Sequence, residues 1–448
     1  MSATATRENG RSHRESDQSS RADNQSYRQV LRNRRVAGLL LGDLLANIGT
    51  GMILVAMPVQ TLAIRGDVPK AIAIGMVEAA PFILSTPLAL AIGLGRVRIP
   101  PRTLLLADCV LRSLTFACLG LLALTGRLTL PVLVIGLLFG ATFRMAGSSS
   151  RRLLATSMVD DTGLLAVNGL LGLDATFALY IVGPVLGGVV VAATSPAVAL
   201  FVDAGGALIL LAAVVASVPR VARDPDAPRR RPARESGWRV LRRRPVAANL
   251  LVVVFFFNLL YMPIEIALPL FVRGTLGADA TGLGLMWGAL GAGAFVGAAL
   301  VNQLRNLPQR HLLIAIIALW AVCPIALAAA ESLTAAMIVF GLGGLVWAPF
   351  TPVAYSFLQS DLAPDEQQQV VTLWTTGATV AAPLGLMIGG PLIELAGTTG
   401  GLVLSGGLTL LLVPIAAFAV LRPAALRGSS PAGARQTGSD TMSRMETV

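Results

Sequence analysis

The sequence predicts an all-α integral membrane protein: twelve transmembrane helices in two six-helix pseudo-symmetric halves around a central cavity. Three observations carry this prediction. Of 448 residues, 54% are hydrophobic and only 13% are charged, where a soluble domain carries about 25% charged residues, and the mean hydropathy is +0.72. Apolar runs near the ~20 residues needed to cross a bilayer recur along the whole chain. One long polar stretch near the middle divides them six and six.

The spans fall at about 36–62, 71–94, 103–125, 130–150, 164–193, 196–218, 248–271, 281–302, 312–330, 335–357, 370–396 and 400–421, each bounded by Arg, Pro, Asp or Gly. Span one follows a tail, 1–30, rich in Ser, Arg, Asp and Asn. The tail lacks the apolar core and small-residue cleavage site of a signal peptide, so a disordered, retained segment is expected. Spans one to six make a first bundle, 31–218. The polar stretch 219–247, PRVARDPDAPRRRPARESGWRVLRRRPVA, reads as a basic linker. Spans seven to twelve make a second bundle, 248–422, and 423–448 reads as a second disordered tail.

An even number of spans puts both termini on one side, and the basic residues say which. Of 35 Lys and Arg, 29 fall in the two tails and in the loops on the side of the termini, four fall in the opposite loops (Arg65, Lys70, Arg127 and Arg273), and Arg112 and Arg144 fall inside spans. Cytoplasmic termini follow from that bias. The net charge of +11 would suggest nucleic acid in a soluble protein, but here the arginines lie between spans and report topology, so no nucleic-acid partner is expected.

Cys109, Cys118 and Cys323 all lie within spans, without metal or redox spacing, and read as small packed apolar side chains. His13 and His311 form no ligand cluster. No enzyme active site, metal or cofactor is expected, and the absence of a G-x-x-x-x-G-K-[ST] loop disfavours an ATP-driven pump.

Charges inside the membrane are the sharpest functional clues, because an ionised side chain at a helix centre costs roughly 2.5–3.5 kcal/mol on insertion scales. They are Asp43 in span one, Glu78 in two, Arg144 in four, Asp174 in five, Asp203 in six and Glu265 in seven. Asp43 lies about 10 Å beyond Val36, and Arg144 lies about 9 Å from the expected inner end of span four. The matched depths make an Asp43–Arg144 pair the expected arrangement. Asn47 and Thr50 continue the Asp43 face toward the midplane. A carboxylate locked to a guanidinium stays ionised, so a proton carrier at Asp43 requires that the pair open during transport. Asp174, near the midplane of span five with no partner on its own face, is the alternative carrier. Glu78 and Glu265 lie toward the opposite side as proton sites, gates or water-facing rim residues. Asp203 reads as a structural residue, and Asp108 with Arg112 as a pair near an inner membrane edge.

In the second half, Asn258, Tyr261 and Glu265 form a polar stripe on span seven. Trp347, Thr351 and Tyr355 recur every fourth residue on span ten, where aromatic faces could stack a flat or cationic ligand or simply pack. An internal repeat is also visible: GPVLGG at 183–188 in span five has a counterpart, GLMIGG at 385–390, in span eleven. Each is the fifth span of its half. Pro184 removes a helix hydrogen bond, and Gly183, Gly187 and Gly188 allow another helix to approach closely. Paired halves of this kind point to a transporter that rocks around a central site.

With LLLADCVLRSL at 104–114, LLAVNGLL at 164–171 followed by GPVLGG, FVDAGGALI at 201–209, the segment 268–300 and LAPDEQQQV at 362–370, the chain resembles the major facilitator superfamily. Within it the likeness is to twelve-helix bacterial exporters of the multidrug, macrolide and siderophore groups, over nearly all of 31–422. The resemblance implies that spans one, four, seven and ten line the cavity, that the protein acts as a monomer, and that the membrane is a bacterial-type inner (cytoplasmic) membrane. It also implies a latch between spans two and three. Here GLGRVRIPPR at 93–102 supplies Arg96, Arg98 and Arg102 but no acid, so Asp108 or the group Asp361, Asp365 and Glu366 must provide the carboxylate.

The expected activity is therefore proton-coupled export of a hydrophobic or amphipathic small molecule by alternating access, with the proton gradient as energy source. Uptake of a sugar or organic acid, and a lysolipid flippase or membrane sensor, remain alternatives.

Overall fold

The computed structural model describes residues 25–219, 237–304, 307–362 and 364–425. Among these, eleven helices are long and apolar enough to cross a membrane. The first ten are α1 (Arg34–Ile64), α2 (Lys70–Gly93), α3 (Pro101–Leu124), α4 (Leu130–Thr156), α5 (Leu164–Ala193), α6 (Pro196–Ser217), α7 (Pro245–Gly274), α8 (Ala280–Leu304), α9 (Gln309–Ala328) and α10 (Leu333–Leu358). The last runs from Pro364 to Ala425, but Gly397 sits at φ 74°, ψ 166° in its middle. A side chain there would be strained, and the break gives two spans, α11 (364–396) and α12 (398–425). Twelve spans result. Residues 25 and 425 then lie on the same face, called here the terminal face.

Both disordered-tail expectations need trimming at their inner edges. Tyr27–Leu31 is a short helix started by a capping box between Ser26 and Gln29. Gln25 N–H donates to the Thr162 carbonyl at 3.0 Å, tying this segment to the α4–α5 loop. Within the expected linker, Gly237–Arg243 is helical and α7 already begins at Pro245. The rest of the linker and tails, 1–24, 220–236 and 426–448, lies outside the described residues.

Three helices are irregular in mid-membrane. α4 breaks at Ala141–Phe143 into Leu130–Gly140 and Arg144–Thr156. α10, its counterpart in the second half, breaks before Phe350 at Pro349, which has no N–H to continue the ladder. α5 widens to a π-helix over Ala175–Val182, a distortion that frequently marks functional sites. In membrane proteins such irregular backbone is tolerated only where protein or a wet cavity satisfies it.

The repeated glycines explain how the halves meet. A Cβ on Gly187 would lie 2.6 Å from Met52 Cα of α1, and one on Gly188 would lie 2.7 Å from the Ala280 carbonyl oxygen of α8. The same arrangement recurs in α11: a Cβ on Gly389 would lie 3.1 Å from Pro263 Cα of α7, and one on Gly390 would lie 3.0 Å from the Ala71 carbonyl oxygen of α2. Thus the fifth helix of each half is pressed between the first helix of its own half and the second helix of the other. Gly284 of α8 packs against the Pro184 carbonyl, and Glu394 accepts from Ala71 N–H at 3.3 Å. All these contacts lie in the leaflet away from the terminal face.

Candidate transport site

α1 is the spine of the polar network in the first half. Asp43, one turn before Asn47, is buried and accepts from Arg151 of α4. The same Arg151 Nη1 donates to Asn47 Oδ1 at 3.3 Å, and Asn47 Nδ2 donates to Asp174 Oδ2 of α5 at 3.1 Å. Asp174 also comes within hydrogen-bonding reach of Asp43. Two carboxylates and one guanidinium are thus gathered from three helices. The set is electrically balanced when one proton is shared across the carboxylates. Asp174 Oδ1 is buried without a hydrogen-bond donor among the described residues, and an orphaned buried oxygen is costly unless a proton or water reaches it.

The expected Asp43–Arg144 pair is therefore replaced by Asp43–Arg151. The reason is the length of α4. It runs to Thr156 rather than 150, which places Arg144 about 18 Å from its end and Arg151 about 8 Å from it. Composition hid this extension, because Arg151 and Arg152, following Ser148, Ser149 and Ser150 at the end of the expected span, read as a loop. The useful signal was that Arg151 lies seven residues beyond Arg144, on the same helix face.

Thr50 does not extend the Asp43 set. It accepts from Arg112 of α3, which also donates to the Ala46 carbonyl at 3.3 Å and holds Asp203 of α6 through two nitrogens, with Nε at 2.8 Å from Oδ2. Asp203 is fully buried. Arg112 thus pairs with Asp203 in the bundle interior rather than with Asp108 at an edge. Asp108, buried, presses against α4, where a Cβ on Gly147 would lie 2.7 Å from Asp108 Oδ2. Its Oδ1 has no donor among the described residues. A cavity of about 30 Å³ bounded by Thr50, Asp108, Arg112, Arg144 and Asp203 is large enough for a water molecule.

Arg144 is exposed although it lies in the middle of α4. Its guanidinium sits 5.9 Å from the Phe82 ring centroid of α2, within the range of a cation–π contact. Glu78 of α2 and Glu265 of α7 lie within electrostatic range of each other and of Arg144, although they belong to opposite halves. Both glutamates are half-buried. Tyr180, on the π segment of α5, and Tyr261 of α7 join the same group around Glu265. Behind it Tyr261 stacks on Trp347 at 5.8 Å and lies tilted against Trp320 of α9 at 5.4 Å. Sequence reasoning missed Tyr180 and Trp320, which carry no distinguishing local pattern.

The remaining expected site residues disperse. Asn258 donates to its own helix at Val254, 2.8 Å away. Thr351 is exposed, and Tyr355 packs edge-on against Trp374 of α11 toward the terminal face, so only Trp347 of that triplet reaches the aromatic group. Gly183 lies against α1, where a Cβ would meet the Ile48 carbonyl oxygen at 2.6 Å, and Pro184 is buried beside it. In the loop, Arg96 and Arg98 are exposed and Arg102 donates to the Val218 carbonyl at 3.2 Å, fastening α3 to the end of α6. Asp108 lies deeper and does not join them as a latch. On the same face Arg244 pairs with Glu366 at 2.9 Å, a tie between the starts of α7 and α11 within one half. The Asp361 and Asp365 side chains lie outside the described residues.

The chain resembles solved transporters in shape. It superposes on a crystal structure of the nucleoside transporter NupG with a TM-score of 0.67, at 10% identity over 88% of this chain and 100% of that one. It superposes on an inward-facing bacterial homologue of the human lysosomal transporter Spinster with a TM-score of 0.63, at 17% identity over 90% and 99%. In sequence it is 28% identical to the multidrug efflux pump Tap of Mycolicibacterium fortuitum over 80% of this chain and 89% of that protein. It is 26% identical to multidrug efflux pump Tap of Mycobacterium tuberculosis H37Rv over 82% and 88%. The model of the transmembrane secretion effector family matches residues 31–425, from the start of the first span to the end of the last. With twelve spans, two related halves and a charged group between them, the chain belongs to the transmembrane secretion effector family of the major facilitator superfamily and is a multi-pass membrane transporter, not an enzyme.

Proposed function

We propose that the protein is a proton-coupled exporter of hydrophobic or amphipathic small molecules, working as a monomer with both termini in the cytoplasm. The observation that carries this reading is the Asp43–Arg151–Asn47–Asp174 set, which links α1, α4 and α5 and needs one proton for balance. As the halves rock, the Arg144–Thr156 segment of α4 swings at the Ala141–Phe143 break relative to α1, withdraws Arg151 from Asp43 and leaves a desolvated carboxylate that takes up a proton. Asp174, held to Asn47 beside it, is the second acceptor. Substrate sits between the halves, against Tyr261 and Trp347, with Glu78 and Glu265 available to a positive group. No cofactor takes part, and the gradient supplies the energy. The efflux activity named for the Tap relatives supports the outward direction.

The test is efflux of a panel of lipophilic drugs from an efflux-deficient bacterial host. Expression should lower accumulation, a protonophore should abolish the effect, and Asp43→Asn should remove it while the protein remains in the membrane. Export that persists under both treatments would refute proton coupling. Substrate accumulation in place of depletion would refute export and favour uptake.

A further inference from the structure

Where α7 meets the terminal face, the chain builds a feature that the transport site does not use. The short helix Gly237–Arg243 buries Val240 and Leu241 in the core of the second half and leaves Trp238, Arg239, Arg242 and Arg243 exposed. Trp238 is 69% exposed. Beside this helix, α7 and α11 leave a groove of about 530 Å³, bounded by Trp238, Arg242, Val252, Phe256, Trp374 and Gly377. A Cβ on Gly377 would meet nothing within 4 Å, and Val252 and Phe256 are exposed large apolar side chains. From Pro245 to Phe256 the helix rises about 16 Å, close to one leaflet's share of a ~30 Å hydrocarbon core. The groove therefore runs the depth of one leaflet and ends at its headgroup level under an arginine.

We propose that this groove is a binding site for an anionic phospholipid of the leaflet at the terminal face. One acyl chain lies along Val252, Phe256 and Trp374, and the phosphate meets Arg242. The occupant is chosen by charge. A zwitterionic lipid fills the same groove but gains little from Arg239 and Arg242, whereas each arginine near the surface favours an anionic headgroup by a factor of about five. Trp238 occupies the interfacial position where indole rings concentrate. A free anion would gain the arginines but leave the groove unfilled.

Native mass spectrometry of the full-length protein in mild detergent tests the site, with phosphatidylglycerol and phosphatidylcholine of identical acyl chains as probes. The wild type should retain phosphatidylglycerol preferentially. Arg242→Gln should weaken that retention about fivefold with little change for phosphatidylcholine, and Gly377→Leu should reduce retention of both lipids by filling the groove. If Gly377→Leu fails to fold, Val252→Asn serves in its place. Equal retention of the two lipids by the wild type, or retention unchanged in both variants, would overturn the proposal. So would occupation of the groove by the lipophilic cation ethidium in preference to phosphatidylglycerol, which would make it a lateral port for substrate.

Discussion

Arg151 of α4 donates to Asp43 of α1 and also to Asn47 one turn farther on, so a single guanidinium clamps two successive turns of α1 to α4. Both members of the ion pair are largely buried, with side-chain exposures of 17% for Arg151 and 8% for Asp43. In such a setting the loss of one partner costs more than the loss of both, because the survivor is left as an unpaired buried charge. Arg151→Leu is therefore expected to destabilise the protein by about 3–5 kcal/mol. Asp43→Asn combined with Arg151→Leu should recover much of that loss. Apparent unfolding temperatures of the purified variants in detergent will show the order, and equal midpoints for the single and double variants would contradict the clamp.

The Arg112–Asp203 pair of the same bundle calls for a parallel test. It lies inside one bundle, with Asp203 fully buried and Arg112 also holding Thr50 and the Ala46 carbonyl. Arg112→Leu should lower the amount of folded protein in the membrane severalfold, and Arg112→Leu with Asp203→Leu should restore it. Fluorescence-detected gel filtration of tagged variants measures both. A single variant that folds normally yet fails to transport would move this pair from scaffold to machinery.

Bulk at the meeting of the halves should block transport without unfolding either half. A Cβ at Gly284 would lie 2.4 Å from the Pro184 carbonyl oxygen, and one at Gly188 would lie 2.7 Å from that of Ala280. Gly284→Val and Gly188→Val are expected to abolish efflux and to hold the leaflet away from the termini open. That opening can be read as faster labelling of a cysteine placed there, in a background with Cys109, Cys118 and Cys323 replaced. Gly172→Ala is the control, since its Cβ would meet nothing within 4 Å, and it should transport normally.

Trp347 is only half-buried while it stacks on Tyr261, so its ring has a face to offer. Trp347→Ala should raise the apparent KM for aromatic or cationic substrates by up to about tenfold, the range of a partly desolvated cation–π contact, with little change in unfolding temperature. Trp347→Phe should recover most of the affinity. A fall in stability without a change in KM would assign the ring to packing.

The frame of this protein was legible because bilayer crossing imposes length and hydropathy on every span, and the GPVLGG and GLMIGG segments were legible because backbone contact admits little but glycine. The partners of the buried charges were not. Asp43 was visible as an anomaly, yet its mate depended on whether α4 stops at 150 or continues to Thr156, and a helix end rich in Ser and Arg carries no hydropathy signal. Arg112 and Asp203 could be seen singly, but nothing in the chain says which faces of α3 and α6 oppose each other. The aromatic group around Tyr261 draws on α7, α9 and α10, and only the packing of three helices reveals it.

At Gly188 against Ala280, at Gly284 against Pro184 and at Gly390 against Ala71, main-chain atoms form both sides of the contact. A barrier made of side chains can flicker open as single rotamers turn, on picosecond to nanosecond timescales. These three contacts have no rotamers to turn. They part only when entire helices separate, a collective displacement on the microsecond to millisecond scale, so the opening rate itself sets a ceiling on how fast each cycle can run.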